Sequence, residues 1–211
     1  MSVTSSHQRG NVLLIILAAV FLVGLLTKVV VDSSLDTTAF ATRANVLSSA
    51  NSIRAYSASI DTAVQTILNN SANAPSDLDD MPPTDANFNT APHSAKIFHP
   101  YGGGASYREE IDGWSDIIIH TDVQITDVDT SAAEIVVVGE IENAQLCDAL
   151  ALDNAPAIAT QAAIDNLLAG TSVTLDEGTT CTSGSCDNIT DQCLKNAGST
   201  QWVYYHVLVA Q

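Results

Sequence analysis

The sequence predicts an α+β chain in which one long N-terminal helix, half membrane segment and half amphipathic, packs on a small antiparallel sheet. Three observations predict it. The apolar run from Val12 to Leu26 holds no charged side chain. From Leu35 to Leu68 apolar residues recur mostly at steps of three and four, and no proline precedes Pro75. Farther along, residues 117–126 pair an alternating apolar row with a more polar one, and residues 202–210 are β-prone on both faces. A period near 3.6 marks a helix buried along one stripe, and a period of two marks a strand covered on one side.

The first half of the helix matches bilayer dimensions. Apolar character resumes at Val29 after Thr27 and Lys28, so a helix from Val12 to Val31 is about 30 Å long, near the thickness of a hydrocarbon core. Lys28 can snorkel to the far interface. Arg9 stands on the near side and orients the N-terminus inward, with the remainder exported.

What precedes the apolar run is equally informative. Gln8-Arg9-Gly10 stands directly before Asn11, Val12, Leu13, Leu14, Ile15, Ile16 and Leu17, with Phe21 and Leu22 one turn on. A secretory signal is cut behind its apolar run, whereas here the evident processing point lies in front of it. This arrangement resembles the class III leader of type IV pilins and of the pseudopilins of type II secretion. The resemblance implies that a prepilin peptidase cuts after Gly10 and that the new N-terminus, Asn11, is methylated. It also implies that the retained helix (Val12, Leu13, Leu14, Ile15, Ile16, Leu17, Phe21, Leu22) packs against the same helix of other pilin-like subunits. Most members of that family carry glutamate at the fifth mature position, thought to meet the amine of the neighbouring subunit, and this chain has Ile15. That departure is typical of certain minor subunits.

Beyond the membrane the expected stripe is Leu35, Phe40, Ala44, Leu47, Ala50, Ile53, Ser57, Ile60, Val64, Ile67 and Leu68, stopped by Asn69-Asn70-Ser71 and Pro75. Residues 74–110 read as irregular, with Ile97 and Phe98 pinning the loop to the core. Gly102-Gly103-Gly104 is read as a close-packed turn needing positive φ and not as a phosphate loop, since no Gly-Lys-Ser/Thr follows. Two strands, 117–126 and 133–138, joined through Asp127–Ser131, are followed by helices over Glu142–Leu152 and Ala157–Leu168. A short strand is expected over Thr171–Leu175. The C-terminal strand is placed inside the sheet, with Trp202 and the tyrosines near its rim. The expected organisation is a leader (1–10), a transmembrane assembly segment (11–31), an amphipathic helical half (32–70) and an exported disulfide-bonded domain (71–211).

The chain carries 24 acidic and 7 basic residues, for a formal net charge of −17, and every acid follows Val31. Phosphate binding needs a basic surface, so nucleic acid is excluded as a partner. No cofactor is expected apart from calcium, for which Asp176, Glu177, Asp187 and Asp191 are weak candidates, although EF-hand spacing is absent. Cys147, Cys181, Cys186 and Cys193 all fall in the exported part, which suits an oxidising compartment. Four cysteines allow three pairings. The glycine-containing loop Cys181–Cys186 closing on itself leaves Cys193 to reach Cys147, and that is the expected pairing. No Cys-x-x-Cys occurs, which argues against a zinc ribbon or a thioredoxin-like motif.

The histidines His93, His99, His120 and His206 lie in no nucleophile or metal motif, and no catalytic residue is named. The chain is therefore read as a non-enzymatic filament subunit. It is held in the inner membrane with an exported domain and enters a periplasmic or cell-surface filament. Two alternatives stay open. One is an extracytoplasmic binding domain that never polymerises, either membrane-tethered, which includes an uncleaved anchor, or secreted. The other is a secreted hydrolase released at Ala39-Phe40-Ala41, whose small-x-small pattern suits signal peptidase.

Overall fold

Ala50, Ile53, Ser57, Ile60, Val64 and Ile67 follow one another at steps of three and four, and all six are buried along one face of a helix. The computed structural model describes residues 42–70, 73–128, 132–151, 155–184, 186–198 and 200–210, and this helix, α1, covers 42–69. The chain divides into two units, Met1–Asn45 and Val46–Gln211, and the second holds every described strand. Tyr56 and Ala63 widen the buried stripe, whereas Leu47, on the same spacing, is 48% exposed. At the end of α1 the backbone N–H of Asn70 donates to the carbonyl of Ile67 at 3.1 Å. The Asn73 side chain donates to the same oxygen at 3.3 Å.

The sheet contains β1 (Trp114–Ile125), β2 (Glu134–Ile141), β3 (Ala157–Ala159), β4 (Val173–Leu175), β5 (Cys181–Ser183), β6 (Asp191–Asn196) and β7 (Trp202–Val209), in the order β4-β1-β2-β7-β6-β3-β5. The pairs β1–β4 and β3–β6 are parallel and the others antiparallel. Although β4 and β5 stand at opposite ends of that order, they are consecutive in the chain. The short turn joining them carries a bridge between Glu177 and Cys181, so the sheet nearly closes. Helices α2 (Ala144–Leu150) and α3 (Gln161–Ala169) complete the described elements of any length.

Strand alternation sends neighbouring residues to two separate cores. Ile135, Val137, Tyr204 and Leu208 face the first, with α1, α2 and the loop residues Ile97 and Phe98. Val136, Val138, Val203 and Tyr205 face the second, with Ile164 and Leu167 of α3. Trp114 is fully buried in the first core, edge-on to Tyr56 (6.3 Å) and to Tyr204 (5.6 Å).

This architecture corrects the expected fold. Among the described residues there are three α-helices and a nearly closed seven-stranded mixed sheet covered on both faces. The pilin-like arrangement of one long helix on a small antiparallel sheet is therefore not the fold. The transmembrane half of the expected long helix lies outside the described residues. The physical reason for the difference is strand length. The strand expected over Thr171–Leu175 is present as β4, but β3 and β5 are three residues each, too short to show a period, and β6 reads Asp-Gln-Cys-Leu-Lys-Asn. Their pairing is supplied by neighbours distant in sequence. The helix expected over Ala157–Leu168 loses its first residues to β3, because Thr160 caps α3: its hydroxyl accepts from the Ala163 N–H at 3.3 Å. Tyr204 and Tyr205 are buried in the two cores and do not lie at the rim.

No α-helix or longer strand lies between Asp77 and Trp114, yet the loop is pinned. Ile97 and Phe98 are buried, and the Lys96 ammonium, itself buried, donates to the carbonyls of Asn87, Phe88 and Thr90 at 2.7, 2.8 and 2.8 Å. The glycine turn is close-packed. A β-carbon on Gly103 would stand 2.7 Å from the Ile97 carbonyl and 2.8 Å from Ala63 Cβ, and Gly104 has φ of +72°.

Candidate functional site

The processing pair Gly10 and Asn11, and the assembly residues Val12, Leu13, Leu14, Ile15, Ile16, Leu17, Phe21 and Leu22, lie outside the described residues. Among the described residues no helix is long and apolar enough to cross a membrane. The functional surfaces available to description are those of the C-terminal unit.

Both cysteine pairs are bonded. Cys147, on the buried face of α2, joins Cys193 of β6 with their α-carbons 5.4 Å apart, which bolts α2 to the sheet. Cys181 of β5 joins Cys186, closing the loop at the sheet's end. All four sulfurs are spent on structure, and all four residues are buried.

Of the residues singled out for calcium, Asp176 and Asp187 have their carboxylates in hydrogen bonds of the protein itself. Asp176 accepts from the hydroxyls of Thr126 at 3.1 Å and Thr179 at 2.6 Å, and so joins the β4–β5 turn to the end of β1. Asp187 accepts from the backbone N–H of Glu177 at 2.8 Å. Asp191 opens β6 opposite His206 of β7. Among the described residues no group of three or more His, Cys, Asp or Glu gathers as a metal site.

The histidines fall into different settings. The rings of His93 and His99 stack at 4.1 Å, nearly parallel, beside Phe88. His99 Nδ1 accepts from the Tyr101 N–H at 3.1 Å, and burial, with His93 and Lys96 nearby, lowers its pKa below the ordinary histidine value. His120 Nδ1 accepts from the Asp122 N–H at 3.1 Å, so its Nε2 carries the proton and donates to the Thr171 carbonyl at 2.8 Å. His206 is lowered by burial, against the opposing pull of Asp191 and Asp61.

Two of the surface grooves among the described residues flank α1 and β1. The larger, about 640 Å³, lies between α1 and residues 103–112. The hydroxyl residues Ser52, Ser59, Thr62 and Ser106 line it together with Arg108. Its floor is fixed by Tyr56, whose hydroxyl accepts from the Arg108 N–H at 3.1 Å and whose pKa burial raises. The second, about 540 Å³, follows the outer side of β1 past Tyr107, Glu109, Asp116, Ile117, Ile118 and Leu168. Sequence reasoning identified neither groove, because each is assembled from segments far apart in the chain. No protein family, curated protein or solved structure matches this chain.

Proposed function

We propose that this chain is a non-enzymatic subunit, minor in stoichiometry, of a type IV pilus-like or pseudopilus filament, inserted through its N-terminal apolar segment. The observation that carries this reading is Arg9-Gly10 standing directly in front of the uncharged run Asn11–Leu26. Cutting there leaves an apolar helix on the mature protein, and such helices bury one another outside the bilayer. Two disulfides in the C-terminal unit agree with an oxidising compartment. Ile15 removes the carboxylate that neighbouring subunits ordinarily share, which favours a place where that contact is not needed. The partners are other pilin-like subunits and a prepilin peptidase, and the protein resides in the inner membrane before assembly.

Intact-mass analysis of the membrane-bound chain tests the reading. A mature chain starting at Asn11, and an unprocessed one after Gly10→Leu, is the expected result. A chain starting at Thr42 would overturn it in favour of secretion, since that cut removes the assembly segment. An unprocessed wild-type chain would favour a tethered binding domain, the second reading, which the hydroxyl-lined groove beside α1 supports.

A further inference from the structure

β1 is paired along most of its length on one side only. β2 accompanies it from Trp114 to Val123, whereas β4 meets it at Val123, Gln124 and Ile125 alone. The Trp114 end is closed by a bridge to Ile111. Residues 115–121 therefore form a sheet edge with no strand beside it among the described residues. An edge of this kind accepts an extended chain through its main-chain groups, with alternate side chains of the newcomer entering pockets on one face.

Pockets are present. The 540 Å³ groove and a smaller one of about 190 Å³ share Tyr107, Ile117 and Ile118 and so flank the edge, the first beside Leu168 of the second core and the smaller beside Ile60 and Phe98 of the first. Leu168 of α3 and Phe98 of the pinned loop supply further apolar wall. Ile117, Ile118 and Ile119 are each half-buried, which leaves apolar surface for an incoming side chain to cover.

The charges around the edge select what can enter. Glu109 and Asp116 are exposed on the first groove, and Asp80 lines the smaller one; Arg108 is the one cation there among the lining residues. The Asp80 carboxylate accepts from the Ile119 amide, the place that a carbonyl of an added strand would take. Burial raises the pKa of the Tyr107 hydroxyl, and the Glu109 and Asp80 carboxylates raise it further. Asp116 stands at a bulge between Ser115 and Ile118 with φ of +50°. Charged residues and bulges on an edge discourage pairing between like copies. At a net charge of −17, a second copy of this chain is repelled here, whereas a cationic strand is attracted.

We propose that the outer edge of β1 is a docking site for an extended basic segment of a partner protein, which joins the sheet as a strand beside residues 115–121 and displaces the Asp80 carboxylate from the Ile119 amide. Its apolar side chains enter the smaller groove beside Tyr107, Ile117 and Phe98, and its lysine or arginine side chains, on the other face, lie opposite Glu109 and Asp116. The site stands independently of how the N-terminus is processed.

The test uses the full isotope-labelled chain in a neutral detergent and short synthetic peptides of four kinds. One alternates lysine and valine. The second is that peptide N-methylated at alternate residues, made in both registers. The third alternates lysine and serine, and the fourth alternates glutamate and valine. The lysine–valine peptide is expected to bind and to shift the amide resonances of residues 115–121. N-methylation in one register, which removes ladder bonds, weakens it by about tenfold or more, as does the variant Glu109→Lys/Asp116→Lys. The serine and glutamate peptides bind more weakly still. Equal binding of the lysine–serine peptide or of both methylated forms would reduce the effect to charge attraction and overturn the proposal. So would shifts confined to other residues, absence of binding by the lysine–valine peptide, or dimerisation of the chain through this edge.

Discussion

The indole of Trp114 lies so close over Gly139 of β2 that a β-carbon there would stand 2.5 Å from Trp114 Nε1 and 2.6 Å from the Ser115 carbonyl. Gly139 is thus the vacancy in β2 that admits the largest side chain of the first core. Gly139→Ala forces the ring or the strand to move, and is expected to cost about 1–3 kcal/mol. Trp114→Ala, which leaves a cavity between Tyr56 and Tyr204, is expected to cost about 3–5 kcal/mol. Urea unfolding of the two variants, read as a lower midpoint at unchanged slope, checks both.

The bond between Cys147 and Cys193 spans 46 residues, and that between Cys181 and Cys186 spans 5. On a chain-entropy account the longer loop contributes about 4 kcal/mol and the shorter one less. Replacing Cys147 and Cys193 together by alanine should therefore lower the unfolding midpoint more than replacing Cys181 and Cys186. Peptide mapping without reductant should recover these two pairs and no other, and free thiols at all four positions would contradict the pairing.

Lys96 donates to three carbonyls from a buried position. Lys96→Met keeps the aliphatic stem but takes the ammonium from all three carbonyls, of which that of Asn87 keeps the Thr90 N–H at 2.9 Å. A loss of about 1–3 kcal/mol is expected, together with faster amide exchange confined to the loop around residues 87–104. Uniformly faster exchange over the sheet would instead indicate that the loop and the cores open together.

His99 makes stability depend on pH in a defined direction. Its folded pKa lies below the unfolded value of about 6.5, so the unfolded chain binds protons more readily there. Its contribution is complete above the unfolded pKa and is lost as pH falls through that value toward the folded one. His99→Phe preserves the ring against His93 and removes the titration. The variant should lose less stability than the wild type between neutral and mildly acidic pH. An unchanged difference between the two proteins across that range would exclude the effect.

Much was determined by the sequence alone where the signal is local. The stripe from Ala50 to Ile67 declares a helix because its apolar spacing is its own evidence, and the alternation around residue 120 declares a strand for the same reason. The glycine turn at 102–104 and the Cys181–Cys186 loop are legible because each closes within a few residues. The apolar run before residue 32, on which the proposed function mainly rests, lies outside the described residues. Tertiary structure decided what depends on distant neighbours. Three-residue strands have no period to display, so the mixed order of the sheet and its near closure appear only when β4 returns to β1 and β6 slots beside β7. The bulges in β1 shift the phase of its alternation, burying His120 and leaving Ile117 and Ile119 partly open. The free edge and its guard of Asp80, Glu109 and Asp116 exist because β4 covers three residues of a strand that has twelve. A side chain's exposure at such a place is set by which segment stops short, and that is decided by packing of the whole unit.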